Sequence, residues 1–105
     1  MRELRQRRAA NTDLVLPASA LAEVLVGSHR VGVKHAADRR RRLAAVFRIR
    51  SLDAEVADEA ARLRARYGAL RLPDALVLAT GEVEDAEVLT ADARWMAYSP
   101  RAVVL

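Results

Sequence analysis

Strand-length apolar runs alternate with helix-length segments along this chain, and that order constrains its fold more than any other feature. Leu14-Val15-Leu16 is a continuous apolar run closed by Pro17, the pattern of a strand covered on both faces. Ser19 is a suitable cap for a following helix, with Leu21, Val24 and Leu25 on one face and an end near Ser28. Gly27 and Gly32 bracket an expected break before a basic helix from about Lys34 to Phe47. Arg48 to Leu52 reads as an edge strand. Asp53 then caps a helix in which Leu52, Val56, Ala60, Leu63 and Tyr67 keep helical spacing, stopped by Gly68. Pro73 and Asp74 open a strongly apolar helix through Thr80. Glu87 to Thr90 is a further strand, Asp92 to Tyr98 a short helical turn, and Ala102 to Leu105 a last strand. The order predicts an α/β layer structure with a mostly parallel sheet. Upstream of it, the first ten residues read as a short charged helix that Asn11-Thr12-Asp13 ends as a turn.

At 105 residues the chain has the size of one domain, with 1–105 read as a single unit. Hydrophobic residues make up 52%, too many for a disordered polymer. With no cysteine, disulfides, thiolate metal sites and thiol nucleophiles are excluded. The charged start is not followed by the apolar core of a signal peptide, and no stretch spans a bilayer, so the chain reads as cytoplasmic with no membrane partner. Only four glycines are present, and none forms the Gly-rich turn of a P-loop or dinucleotide enzyme. The net charge of +4 is a modest bias toward polyanions. Seventeen of the 18 basic residues are arginine, which the coding bias of a GC-rich genome explains as readily as phosphate contacts do.

Three acids stand out against this background. Glu23 is the single formal charge between Leu14 and Ser28, Asp74 the single one between Leu72 and Gly81, and Asp92 directly follows Val88-Leu89-Thr90-Ala91. Isolated acids in apolar surroundings are expected to be paired, hydrogen-bonded or bound to a cation. Ligands gather at the carboxyl ends of strands in a parallel sheet, where all three acids can reach one rim. A few carboxylates around an accessible pocket suit magnesium, which keeps several waters. Taken singly, Asp74 and Asp92 are also explained as helix-start and turn caps, and Glu23 as a salt-bridge partner.

Leu16-Pro17-Ala18-Ser19-Ala20-Leu21-Ala22-Glu23-Val24-Leu25, Leu72-Pro73-Asp74-Ala75-Leu76-Val77-Leu78-Ala79-Thr80 and Leu89-Thr90-Ala91-Asp92 resemble, in order and spacing, the second, third and fourth acidic motifs of PIN-domain nucleases, especially VapC-like toxins. The resemblance covers about Leu14 to Leu105. It implies a PIN-like three-layer α/β fold and a Mg2+- or Mn2+-dependent endoribonuclease acting on RNA, neutralised by a cognate antitoxin and assembled as a homodimer. Glu23, Asp74 and Asp92 would be the catalytic metal-site acids and Thr90 the accompanying hydroxyl.

One element of that pattern is missing. The family begins with a hydrophobic strand ending in an aspartate, and nothing before Leu14 matches it. Asp13 precedes its strand and falls at the wrong edge. The expected sheet is therefore incomplete, pointing to a truncated chain or to a strand supplied by another copy or a partner. The alternative function is a catalytically impaired toxin remnant that serves as an antitoxin-binding or dimerisation module. Arg39-Arg40-Arg41-Arg42 reads either as an RNA-phosphate contact or as a solvated helix face. His29 and His35 lack a metal-ligand pattern. Trp95 and Tyr98 are expected to pack in the core rather than stack on bases.

Overall fold

The computed structural model describes residues 13–105. The charged helix expected over the first ten residues lies outside them. The described chain divides into two units, one ending at Ser51 and one running from Leu52 to Leu105.

The first unit is a strand, two helices and a strand: β1 (Val15–Pro17), α1 (Ala18–Val31), α2 (Val33–Val46) and β2 (Arg48–Arg50). β1 and β2 pair in parallel, with Val15 opposite Arg48, Leu16 opposite Ile49 and Pro17 opposite Arg50. At the start of this pair, the Arg48 Nε and a terminal guanidinium nitrogen donate to Asp13 Oδ2 at 3.1 and 3.0 Å. Asp13 is thus committed to aligning the two strands. α1 corrects two sequence expectations. It begins at Ala18 straight after Pro17 with no side-chain cap, so Ser19 lies inside it. It also passes through Gly27 to Val31, since one glycine costs a helix only about 1 kcal/mol. The break falls at Gly32 alone, whose N–H still closes onto Ser28 O at 3.1 Å.

The second unit carries α3 (Ala54–Arg66), α4 (Leu72–Val83), β3 (Val88–Thr90), a 3-10 turn (Ala93–Ala97) and β4 (Ala102–Val104). Asp53 caps α3 as its sequence position suggests, its Oδ1 accepting from Val56 N at 3.0 Å. Val56, Ala60 and Leu63 form the buried stripe of α3, whereas Leu52 is exposed. That stripe meets Ala75, Leu78 and Ala79 of α4, Leu70 before it, and Val88 of β3 in one apolar cluster. Trp95 and Tyr98 pack against the cluster, and Tyr98 meets Tyr67 edge-on with ring centroids 5.2 Å apart. β3 and β4 pair in parallel, Val88 opposite Ala102 and Thr90 opposite Val104.

The turn between α4 and β3 aims the rest of this unit. Ala86 N–H bonds Gly81 O at 2.9 Å and Asp85 N–H bonds Glu82 O at 3.3 Å, with Asp85 in the left-handed region at φ 51°. This is the two-bond closure that ends many helices, here with aspartate at the position glycine usually takes. Arg101 anchors the turn, its Nε 2.8 Å from Glu82 and a terminal nitrogen 2.7 Å from Asp85. At Gly81 a Cβ would stand 2.3 Å from a Val88 methyl, so glycine lets β3 lie close against α4.

Candidate metal-site acids

Asp74 and Asp92 flank that reversal, one at the start of α4 and the other beyond the end of β3. Asp74 lies in the first turn of α4, the chain runs down the helix and turns, and β3 returns toward the end from which α4 began. Asp92 stands two residues past β3, as cap of the 3-10 turn. Both carboxylates are partly exposed, with 26% and 31% of their side-chain surfaces accessible.

Neither carboxylate is free. Arg94 grips Asp92 with both ends of its guanidinium: Nε is 2.9 Å from Oδ1 and 3.1 Å from Oδ2, and Nη2 is 2.6 Å from Oδ2. The Arg94 backbone N–H adds a bond to Oδ1 at 3.0 Å. These charge-assisted bonds, the side chain's first and the backbone's second, lower the Asp92 carboxyl to about 2. Arg94 is in turn held protonated, most strongly by the Asp92 hydrogen bonds and then by surrounding charges that include Asp74. Asp74 has its own arginine, Arg71, whose Nε lies 3.6 Å from Oδ2.

Thr90, the hydroxyl expected to accompany the last acid, contacts the backbone of Asp92. It is buried, and its Oγ1 accepts the Asp92 backbone N–H at 3.0 Å. It fixes the bend that presents Asp92. Glu23 belongs to the first unit, exposed on α1, and Val24 and Val26 beside it are also exposed. The sequence expectation that this acid sits in buried surroundings is corrected, because the run around Glu23 wraps a helix most of whose circumference faces solvent. His29 and His35 are exposed, as expected for surface residues. Among the described residues, no three His, Asp or Glu side chains are grouped to hold a metal ion.

Oxygen donors alone, with no sulfur and no imidazole at the rim, are the donor chemistry of Mg2+ or Mn2+. Asp74 and Asp92 fit such an ion chemically, with the condition that Arg94 yields the Asp92 oxygens. Arg71 and Arg94, which pair with these two acids, are not among the candidates the sequence offered. Their signal was their spacing, three residues before one acid and two after the other.

A family model for the PIN domain matches residues 1–99, and the chain belongs to that family. No curated protein matches the chain. Among solved structures, it is similar to a chain of a toxin-antitoxin complex from Klebsiella pneumoniae, with 28% identity and a TM-score of 0.76 over 99% of this chain and 84% of that one. It is also similar to a chain of VapBC2 from Rickettsia felis, solved bound to a DNA fragment from the promoter, with a TM-score of 0.80 over 99% of this chain and 81% of that one. At 16% identity the second likeness speaks to the fold alone. The α/β arrangement with parallel strands and four helices is the fold these chains share. No described helix is long and apolar enough to cross a membrane.

Proposed function

We propose that this PIN-domain chain is a VapC-like toxin, an endoribonuclease that hydrolyses RNA phosphodiester bonds with Mg2+ or Mn2+ and is neutralised by an antitoxin protein. The observation that carries this reading is the pair Asp74 and Asp92, two acids 18 residues apart in sequence, each partly exposed and each ion-paired with a neighbouring arginine. Asp74 and Asp92 would hold the ion; Glu23, the other acid that the family resemblance points to, belongs to the first unit. A bound divalent ion supplies Lewis-acid stabilisation of the charge developing on phosphate and a more acidic attacking water.

The chain's own groups do the rest. Thr90 sets the direction of Asp92, and Asp92 stays ionised through the acidic range. Arg94, once off the carboxylate, carries the charge and fork geometry that a phosphate accepts. The Klebsiella pneumoniae relative, solved in a toxin-antitoxin complex, supports an antitoxin partner here. So do Val26, Val31 and Val33, which expose apolar surface along α1 and at the start of α2. We assign the same surface class to homodimer formation.

The test is divalent-dependent cleavage of a structured RNA by the full chain. Cleavage is expected to require Mg2+ or Mn2+ and to be abolished by Asp74→Asn. Undiminished cleavage by that variant, or cleavage in excess chelator, overturns the reading. The guanidinium grip on Asp92 and the lack of a three-acid group among the described residues favour one second reading, a toxin remnant that only binds antitoxin or a second copy. Stable complex formation without RNA turnover in any divalent ion would select it.

A further inference from the structure

Charge is unevenly divided along the chain. Residues 30–42 hold six of the 18 basic residues (Arg30, Lys34, Arg39, Arg40, Arg41, Arg42) and one of the 14 acids, Asp38. This stretch is therefore +5, and the remaining chain is −1. The bases lie on α2 and at the corner leading into it, and all six are exposed. α2 buries only Ala36 fully and half-buries Leu43, so one narrow stripe holds it in place. At about 100° per residue, Lys34, Arg41 and Arg42 fall within roughly a quarter to a third of the circumference, opposite that stripe, and Arg39 and Arg40 flank it. Asp38 sits among them and pairs with Arg41 and Arg42. Arg30, Lys34, Arg39 and Arg40 form no ion pair with any described residue.

We infer that the exposed basic surface of α2 is a docking surface for the phosphate backbone of double-stranded RNA, the stem of a structured substrate. The choice of RNA over DNA rests on the proposed ribonuclease activity. The choice of a phosphate backbone rests on the surface itself. α2 holds no Phe, Tyr or Trp, and between its end valines, Val33 and Val46, its exposed positions are charges, alanines and His35. Protein interfaces are anchored by buried aromatic or apolar side chains and depleted of charge at their centre. Single-strand grooves stack bases on aromatics. A dense, exposed, arginine-rich helix lacks both devices and matches what duplex RNA offers, which is shape and phosphate.

The experiment measures binding of the full chain carrying Asp74→Asn to an RNA hairpin with a stem of about one turn, by fluorescence anisotropy across a KCl series without divalent ions. Lys34→Gln/Arg39→Gln/Arg40→Gln is expected to raise Kd at least tenfold. It should flatten the log Kd against log salt slope by about 2, since each lost phosphate contact contributes about 0.7 to 0.9. Far-UV circular dichroism checks that the exposed substitutions leave the helices intact. A control removing the same charge from α3, Arg62→Gln/Arg64→Gln/Arg66→Gln, is expected to change Kd less than threefold. Equal losses from both triple variants, no loss from the α2 variant, or α2-dependent binding as tight to unpaired RNA or poly-glutamate as to the hairpin would each overturn the inference. If the native chain cleaves RNA and the α2 variant binds the hairpin normally, this inference fails and the ribonuclease reading stands. If α2-dependent binding holds and no cleavage occurs, the reverse is true.

Discussion

The two units build the same kind of part, a parallel pair of three-residue strands with two helices, yet they pack in opposite ways. From Leu52 onward the helix stripes meet, and Val56, Ala60, Leu63, Leu70, Ala75, Leu78, Ala79 and Val88 form one cluster. Among the described residues up to Ser51, the buried ones are Leu14, Ser28 and Ala36, while Val31 and Val33 stand 71% and 78% exposed. The difference teaches that α/β connectivity alone does not make a core. The second unit converts its apolar residues into mutual burial and uses the resulting rigidity to hold two acids. The first spends its helices on surface, basic along α2 and apolar along α1.

The largest test of that contrast is a pair of truncations. Leu78→Ala is expected to cost about 2–5 kcal/mol through a cavity in a closed cluster, whereas Val26→Ala on the open face of α1 should stay within about 0.5 kcal/mol. Comparable losses in urea melts would erase the distinction. Next in size is Gly81→Ala. The added methyl meets Val88, so overpacking of about 1–3 kcal/mol is expected, and a neutral or stabilising result would show that α4 and β3 are free to part.

The smallest effect concerns charge and sharpens the contrast at the acids. With Arg94 in place the Asp92 carboxyl sits at about 2 rather than its ordinary value of 3.8. Because the folded value is the lower one, the grip favours the folded chain above about pH 4 and is lost as pH falls toward 2. Carbon-detected NMR of the side chain should show Asp92 titrating near 2, and Arg94→Gln should move its midpoint up toward 3.8. An unmoved midpoint would mean that the arginine does not set this charge.

Much of this was legible from residues alone. Asp53 before a periodic apolar run marked a cap, Pro73 and Asp74 marked a helix start, and Thr90-Ala91-Asp92 after an apolar pair marked a strand end, because each depends on neighbours within one turn. Reading failed where the deciding neighbour was elsewhere or missing. Gly27 looked like a break because glycine disfavours helix, but the cost of one glycine is about 1 kcal/mol and α1 runs through it. Glu23 looked enclosed because its sequence neighbours are apolar, but apolar neighbours enclose an acid only if another element covers them. The 92–98 turn was found but not its 3-10 winding, which the tight Asp92 cap and the Trp95 packing impose. Arg94 was visible beside Asp92, yet its two-ended hold on both carboxylate oxygens belongs to geometry that spacing does not specify.

At Gly81 the molecule depends on an atom that is not there. Because no Cβ keeps Val88 at arm's length, β3 starts tight against the far end of α4, and the offset between helix and strand is set at that one point. Asp74 and Asp92 ride on the opposite ends of the same two elements, so a single methyl group added at one end of this lever would be felt as a change of spacing between two charges at the other.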